Sequence, residues 1–194
     1  MKNKLIIIAG HPASGKTGLA LKLSNNLCIP YFNLDSIKSA IGKSIEVDSW
    51  EKSKCIGHSS FFVLMYILEN LMKVNKPLII ESSFIKEQEA IIKNLLEKYN
   101  YETLTFILKC DLKILHKRFI EREYSVERDK SNRVFGLWDD FKIFEREITF
   151  FDNFNTGDEI INIVTSDFTN IDFNKYIIIA KDFICENPTA LNIR

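Results

Sequence analysis

Eight residues near the start of the chain have the types and spacing of a phosphate-binding loop. Residues 10–17 read GHPASGKT and match the pattern G-x-x-x-x-G-K-[ST]. Glycines let such a loop curl so that backbone N–H groups point at phosphate oxygens, and the next helix presents its positive end. The lysine charge suits β- and γ-phosphates, and the threonine hydroxyl suits Mg²⁺. The motif predicts a site for ATP and Mg²⁺. The expected nucleotide-binding residues are Gly10, Pro12, Ala13, Ser14, Gly15, Lys16, Thr17 and Gly18, with Lys16 also catalytic.

An acidic residue follows the second predicted strand, at the edge where an α/β sheet binds its ligands. Asp35 lies in the segment NLDSIK, and its carboxylate can accept the proton of a substrate hydroxyl. Lys38, one helical turn later, can hold an anionic group of the substrate or steady the carboxylate. The alternative is that Asp35 only caps the helix beginning there, and the two roles can coexist.

A second acid ends the apolar segment PLIIE. Glu81 has the position of the carboxylate that supports Mg²⁺ in P-loop enzymes, so we expect Thr17 and Glu81 to hold the metal. Ser82 comes next and is expected to bind substrate. The alternative for Glu81 is a solvated carboxylate at the end of a strand. Asp111 also follows a strand, but we expect it to cap the next helix.

Several arginines later in the chain could bind phosphate groups. Arg118 and Arg122 are four residues apart and share a helical face, so we expect both to act in catalysis. Arg128 and Arg133 follow in a charged stretch without apolar periodicity, which predicts a mobile loop or lid, and we expect Arg128 to bind substrate. The alternative is a solvated face, paired with the acids Glu121, Glu123, Glu127 and Asp129.

A parallel sheet is needed to position these residues, and the rest of the sequence predicts one. Short apolar runs alternate with helical periodicity, which is the pattern of an α/β fold. Strands are predicted at 5–8, 30–33, 77–81, 104–108 and 160–164. Helices are predicted at 16–27, from 35 onwards, and at 48–74, 86–98, 111–123, 137–151 and 171–184. These elements use the whole chain, so 1–194 is expected to form one domain.

Composition limits the classes of function. The formal net charge of the 194-residue chain is +0, which argues against a protein that coats nucleic acid. The four cysteines are far apart and form no CxxC pair, so we expect buried thiols in a reducing compartment. No signal peptide is recognised, and the apolar stretch 61–68 is far shorter than a membrane span. A cytoplasmic protein with no membrane partner is expected.

The chain resembles small P-loop kinases grouped as AAA-like ATP-binding proteins. The resemblance lies in three segments and their order: GHPASGKT, LDSIK and IIESSF. That group includes zeta toxins, chloramphenicol phosphotransferase, polynucleotide 5′-kinase and gluconate kinase. The resemblance covers nearly the whole chain. It implies a three-layer P-loop NTPase fold with a five-stranded parallel sheet in the adenylate-kinase-like order 2-3-1-4-5. It also implies a helical lid at about residues 118–135.

The resemblance also implies roles for individual residues. Asp35 matches the general base after strand two, Lys38 the basic residue one turn on, and Glu81 the acid after strand three. Arg118 and Arg122 match an R-x-x-x-R pattern in the lid helix. Many relatives carry R-H-P-G-H in the lid, where this chain reads ERDKS, so only the arginine of that motif, Arg128, is matched.

These observations favour an ATP-dependent kinase acting on a hydroxyl of a small molecule. A polynucleotide 5′-kinase is a second possibility, but it would need a basic channel. A regulatory ATPase without an acceptor is a third, and it predicts an empty Asp35 side of the cleft. A kinase instead predicts a walled pocket beside the phosphate loop, lined by residues of the helix at 48–74.

Overall fold

A five-stranded parallel sheet forms the centre of the computed structural model, which describes residues 3–185. The strand order is β2-β3-β1-β4-β5, and all four neighbouring pairs are parallel. This confirms the predicted sheet and its order. The strands are β1 (Asn3–Gly10), β2 (Tyr31–Asn33), β3 (Leu78–Glu81), β4 (Tyr101–Lys109) and β5 (Glu159–Val164).

Helices cover both faces of the sheet and make three layers. Alternate residues of β1 point to opposite faces, so Leu5 and Ile7 pack with α3 and α4, while Ile6 and Ile8 pack with α1 and α7. The helices are α1 (Lys16–Leu27), α2 (Leu34–Gly42), α3 (Trp50–Lys73), α4 (Glu89–Tyr99), α5 (Leu112–Glu123), α6 (Phe141–Ile148) and α7 (Phe173–Cys185). The predicted cap of α5 is confirmed, because Asp111 accepts two backbone N–H groups of its first turn.

A third apolar cluster lies outside the two faces of the sheet, between α5 and α6. Phe119, Trp138 and Phe144 are its large members. The helix predicted at 137–151 is wrong at its start, since α6 begins at Phe141. The positive φ angles of Phe135 and Gly136 make a turn, and the Asp140 side chain then caps α6.

The burial of the cysteines and of the apolar side of α3 can be compared with what the sequence predicts. The prediction of four buried cysteines is wrong, because only Cys110 is buried, whereas Cys28, Cys55 and Cys185 are exposed. Composition cannot tell which face of a helix a cysteine occupies. The length and composition of α3 would suit a membrane span, but its apolar side, including Phe61, packs in the core against the sheet.

The end of β1 lies so close to β4 that no side chain fits between them. Gly10 has a φ of 124°, and a Cβ atom there would lie 2.1 Å from the backbone oxygen of Leu108. This contact turns the chain out of the sheet and into the predicted phosphate loop. Gly18, in α1, is different, because a Cβ atom there would have nothing within 4 Å.

Alanine substitution of these two glycines is expected to have opposite effects. Gly10→Ala should lower the free energy of unfolding by about 2–4 kcal/mol, through backbone strain and a clash. Gly18→Ala should raise it by about 0.5–1 kcal/mol, because alanine is the better helix former. Urea denaturation without nucleotide measures both. Equal stabilities of Gly10→Ala and wild type would contradict the close approach.

Candidate active site

The predicted phosphate loop joins β1 to α1 and contains three residues with positive φ. These are Gly10 (124°), Ala13 (63°) and Gly15 (92°). Gly15 precedes α1, and no side chain caps the helix there. The first N–H groups of α1 are therefore presented toward the loop, as in sites where a helix N-terminus binds an anion.

Lys16 is buried at the base of this loop. Its Nζ donates hydrogen bonds to the backbone oxygen of His11 at 2.7 Å and to Ser83 Oγ at 2.9 Å. Burial lowers the pKa of Lys16 to about 8, although the negative charge of Glu81 opposes that change. The hydrogen-bond partners of its ammonium are neutral oxygens. His11 itself is buried and hydrogen-bonded to Asp152.

Thr17, in the first turn of α1, meets Glu81 at the carboxyl end of β3. Thr17 Oγ1 donates to Glu81 Oε2 at 3.0 Å, and the Asn33 amide donates to the same oxygen. Burial raises the pKa of Glu81, while the charge of Lys16 opposes that change. Residues 3–185 contain no group of three His, Cys, Asp or Glu side chains that could hold a metal. A magnesium ion here would need ligands from phosphate and water as well.

Asp35 lies in the first turn of α2 but does not cap that helix. The cap is Asn33, whose side chain accepts the N–H of Ser36 at 2.7 Å. The Asp35 side chain is 50% exposed, and its Oδ2 lies 3.3 Å from Arg128 NH1. Burial acts to raise the pKa of Asp35, but Arg128 and nearby cations outweigh it and lower the pKa. Asp35 is therefore ionised, as a proton acceptor must be.

Lys38 does not pair directly with Asp35, although both side chains face the same region. Its Nζ donates to Ser53 Oγ on α3 at 2.9 Å. Arg128, not Lys38, therefore takes the role of steadying the Asp35 carboxylate.

Arg118 and Arg122 share a face of α5 but have different surroundings. Arg118 donates to the backbone oxygens of Thr165 and Ser166, and its guanidinium lies 4.1 Å from the centroid of the Phe168 ring. Arg122 Nε is buried and has no hydrogen-bond partner among residues 3–185. Burial lowers the pKa of Arg122, and Arg128 lowers it further.

A cavity of about 620 Å³ brings most of the predicted residues together. It is lined by Pro12, Ala13, Gly15, Lys16, Thr17, Asp35, Lys38, Glu81, Ser82, Arg118, Arg122 and Arg128. Three predicted nucleotide-binding residues do not line it: Gly10 packs on β4, Ser14 is buried beneath the loop, and Gly18 faces outward. Arg133 does not line it either, because its guanidinium donates to the backbone of Ser125 and Arg128.

Sequence reasoning missed several residues in the walls of this cavity. Trp50, Lys54, Gly57 and His58 line it from α3, and their spacing of four, three and one residues places them on one helical face. That spacing was a usable signal. Trp138, Phe151 and Phe168 also line it, but no local pattern marks them. Another cavity, of about 790 Å³, is lined by Glu123, Asp129 and Arg133 of the charged stretch and by none of the residues expected to bind nucleotide, metal or substrate.

The two arginines of α5 allow a matched test. Arg122→Met removes a buried cation without a hydrogen-bonded partner, so the free energy of unfolding without nucleotide should stay the same or rise by up to about 1 kcal/mol. Arg118→Met removes two hydrogen bonds to backbone oxygens, a third to Cys110 Sγ and a ring contact, and should lower the free energy of unfolding by about 1–3 kcal/mol. Urea denaturation of both variants measures the difference. A large loss in Arg122→Met would mean that Arg122 is mainly a structural residue.

Comparison with known proteins identifies the fold. No protein-family model and no curated protein matches the chain. A protein from Chloroflexus aurantiacus J-10-fl, provisionally named a kinase, is 21% identical with a TM-score of 0.83, over 94% of this chain and 99% of its own. Shikimate kinase from Bacteroides thetaiotaomicron is 13% identical, with a TM-score of 0.54 over 94% and 98%. APS kinase from Mycobacterium tuberculosis, solved with AMPPNP and APS, is 12% identical, with a TM-score of 0.58 over 96% and 99%. The chain shares the P-loop kinase fold of these structures.

Proposed function

We propose that this protein is an ATP-dependent phosphotransferase that moves the γ-phosphate of ATP to a hydroxyl group of a small molecule. One observation carries the proposal: Lys16 and Thr17 of the phosphate loop line the same cavity as the ionised Asp35. The cavity thus offers both a place for the triphosphate and a proton acceptor for the attacking hydroxyl.

Unpartnered polar atoms in the cavity wall fit a bound triphosphate. Arg122 Nε and Arg128 Nε are buried without hydrogen-bond partners in the described part of the chain, and both residues line the cavity. Such atoms are costly unless a ligand satisfies them, and phosphate oxygens accept hydrogen bonds from both. Thr17 and Glu81 would hold Mg²⁺ there, and the ion when bound would neutralise charge on the transferred group.

Each residue would then have a distinct task in the transfer. The acceptor oxygen attacks the γ-phosphorus, the bond to the β–γ bridging oxygen breaks, and ADP leaves. Asp35 takes the hydroxyl proton and later releases it to water, while Arg128 holds the carboxylate in place. Lys16 and Arg122 offset negative charge on the phosphoryl oxygens.

The charged loop between α5 and α6 would act as a lid over the acceptor. Asn132 donates to the backbone oxygen of Asp35 and to Ser39 Oγ, and Ser53 donates to the backbone oxygen of Ser131. These bonds connect the loop to α2 and α3, beside the proposed base.

The acceptor side of the cavity favours a kinase over a regulatory ATPase. An ATPase without an acceptor predicts an empty region beside Asp35, whereas Trp50, Lys54 and His58 of α3 wall it. A polynucleotide 5′-kinase would need a basic channel, and the chain has no excess of positive charge.

Asp35→Asn should separate binding from transfer. ATP affinity should stay close to wild type, because Asp35 does not contact the phosphate loop, but transfer should fall by roughly 10²–10⁴-fold. Lys16→Ala, the contrasting variant, should lose at least ~10²-fold in turnover. Calorimetry measures ATP affinity, and ADP formation measures transfer in a screen of sugars, antibiotics, nucleosides and nucleotide sugars.

Two results would count against the proposal. Normal transfer by Asp35→Asn would remove the role of general base. Normal turnover by a folded Lys16→Ala protein would remove the kinase assignment itself.

A further inference from the structure

The cavity contains more positive charge than a bound triphosphate needs. Six lysine and arginine side chains line it, against two carboxylates. Lys16, Arg118 and Arg122 come from the loop and α5, next to the proposed nucleotide site. Mg²⁺ cancels part of the triphosphate charge, so those cations and Arg128 already face a partly neutralised ligand.

The remaining cations lie on the acceptor side, on α2 and α3. Lys38 projects from α2, while Lys54 and His58 project from one face of α3. Lys54 and His58 form no ion pair or hydrogen bond with any described residue, and the His58 ring lies beside the Phe62 ring, with centroids 5.1 Å apart. Neither side chain is used to hold the fold together.

Lys38 is the most enclosed of the three. Its ammonium has a hydroxyl partner, Ser53, and no ion pair among residues 3–185. Burial lowers its pKa to about 8 in spite of the nearby Asp35 carboxylate. The Lys38 side chain runs along α3 at Gly57, where a Cβ atom would be in van der Waals contact with Lys38 Cε at 3.4 Å. A desolvated ammonium with two unused donors is a site for an oxyanion.

We propose that the acceptor is a small hydroxylated anion, whose carboxylate or phosphate ester is bound by Lys38, Lys54 and His58 while its hydroxyl faces Asp35. This inference rests on the proposed function, because it assigns the acceptor half of the same cavity. The anion fixes the end of the molecule away from the reacting hydroxyl, and Trp50 packs beside it on α3.

Intrinsic fluorescence offers a direct test. The chain has two tryptophans, Trp50 and Trp138, and both line this cavity with ring centroids 6.0 Å apart. The protein is first saturated with Mg²⁺ and AMPPNP, so that the phosphate loop is filled. Glycerol, glycerate and glycerol 3-phosphate are then titrated at constant ionic strength, as are sorbitol, gluconate and glucose 6-phosphate.

The variants are Lys54→Met and Lys38→Met, with Lys52→Met as the matched control. Lys52 is two residues from Lys54 on α3, carries the same charge, is paired with Asp48 at 2.8 Å and does not line the cavity. The anions of at least one series should bind tenfold or more tightly than the matching neutral polyol. Lys54→Met and Lys38→Met should each weaken that binding about tenfold, and Lys52→Met by less than about twofold.

The outcomes separate this inference from the proposed function. Three results would overturn the anionic acceptor and leave the kinase assignment intact. The first is equal binding of neutral and anionic compounds, and the second is no response to any anion at millimolar concentration. The third is equal anion affinity in Lys54→Met and Lys52→Met. Failure of wild-type protein to bind AMPPNP would instead overturn the proposed function. Because Lys54 is exposed and unpaired, Lys54→Met remains a fair test even if Lys38→Met unfolds.

Discussion

The proposed site depends on positive charge that the fold encloses in excess of negative charge, since six lysine and arginine side chains and two carboxylates line the cavity. Lys16, Lys38 and Arg122 all have pKa values lowered chiefly by burial. Enclosing such groups is unfavourable, so the core on both faces of the sheet must supply the stability that holds them. This arrangement favours anion binding, because a bound phosphate or carboxylate offsets the free-energy cost of burying the cations.

Backbone geometry decides where this charge is placed. The close approach of Gly10 to β4 turns the chain sharply, and the positive φ of Gly15 then starts α1 with Lys16 and Thr17 at its first turn. The pairing of β2 with β3 sets Asn33 beside Glu81, and Asn33 in turn caps α2 and orients Asp35. Three neighbouring strand ends therefore bring the loop, the acid of β3 and the carboxylate of α2 to one edge of the sheet.

Local patterns in the sequence were sufficient to predict the sheet and the phosphate loop. Buried parallel strands appear as continuous apolar runs, and the GHPASGKT segment begins at the end of one of them, so the positions of β1 and α1 could be predicted closely. The start of α6 was misplaced, because the turn at Phe135 and Gly136 depends on positive φ angles that apolar periodicity does not reveal.

Roles of individual side chains were harder to predict, since they depend on contacts between distant segments. Arg118 and Arg122 look equivalent in sequence, yet Arg118 binds the backbone after β5 while Arg122 Nε has no partner in the described residues. The partner of Asp35 is Arg128, 93 residues away, and not the adjacent Lys38. The helix at 48–74 was expected to line the pocket, but Lys54 and His58 were not singled out, although their spacing places them on one face of that helix.

A crystal structure of the protein with Mg²⁺ and a non-hydrolysable ATP analogue would test the proposed site. We expect the γ-phosphate to contact Lys16 and Arg122, with Mg²⁺ bound to Thr17. An Asp35 oxygen should lie about 5–6 Å from the γ-phosphorus, leaving room for one hydroxyl oxygen between them. A γ-phosphate more than about 10 Å from Asp35, or a triphosphate outside the cavity, would rule out Asp35 as the base in this cavity.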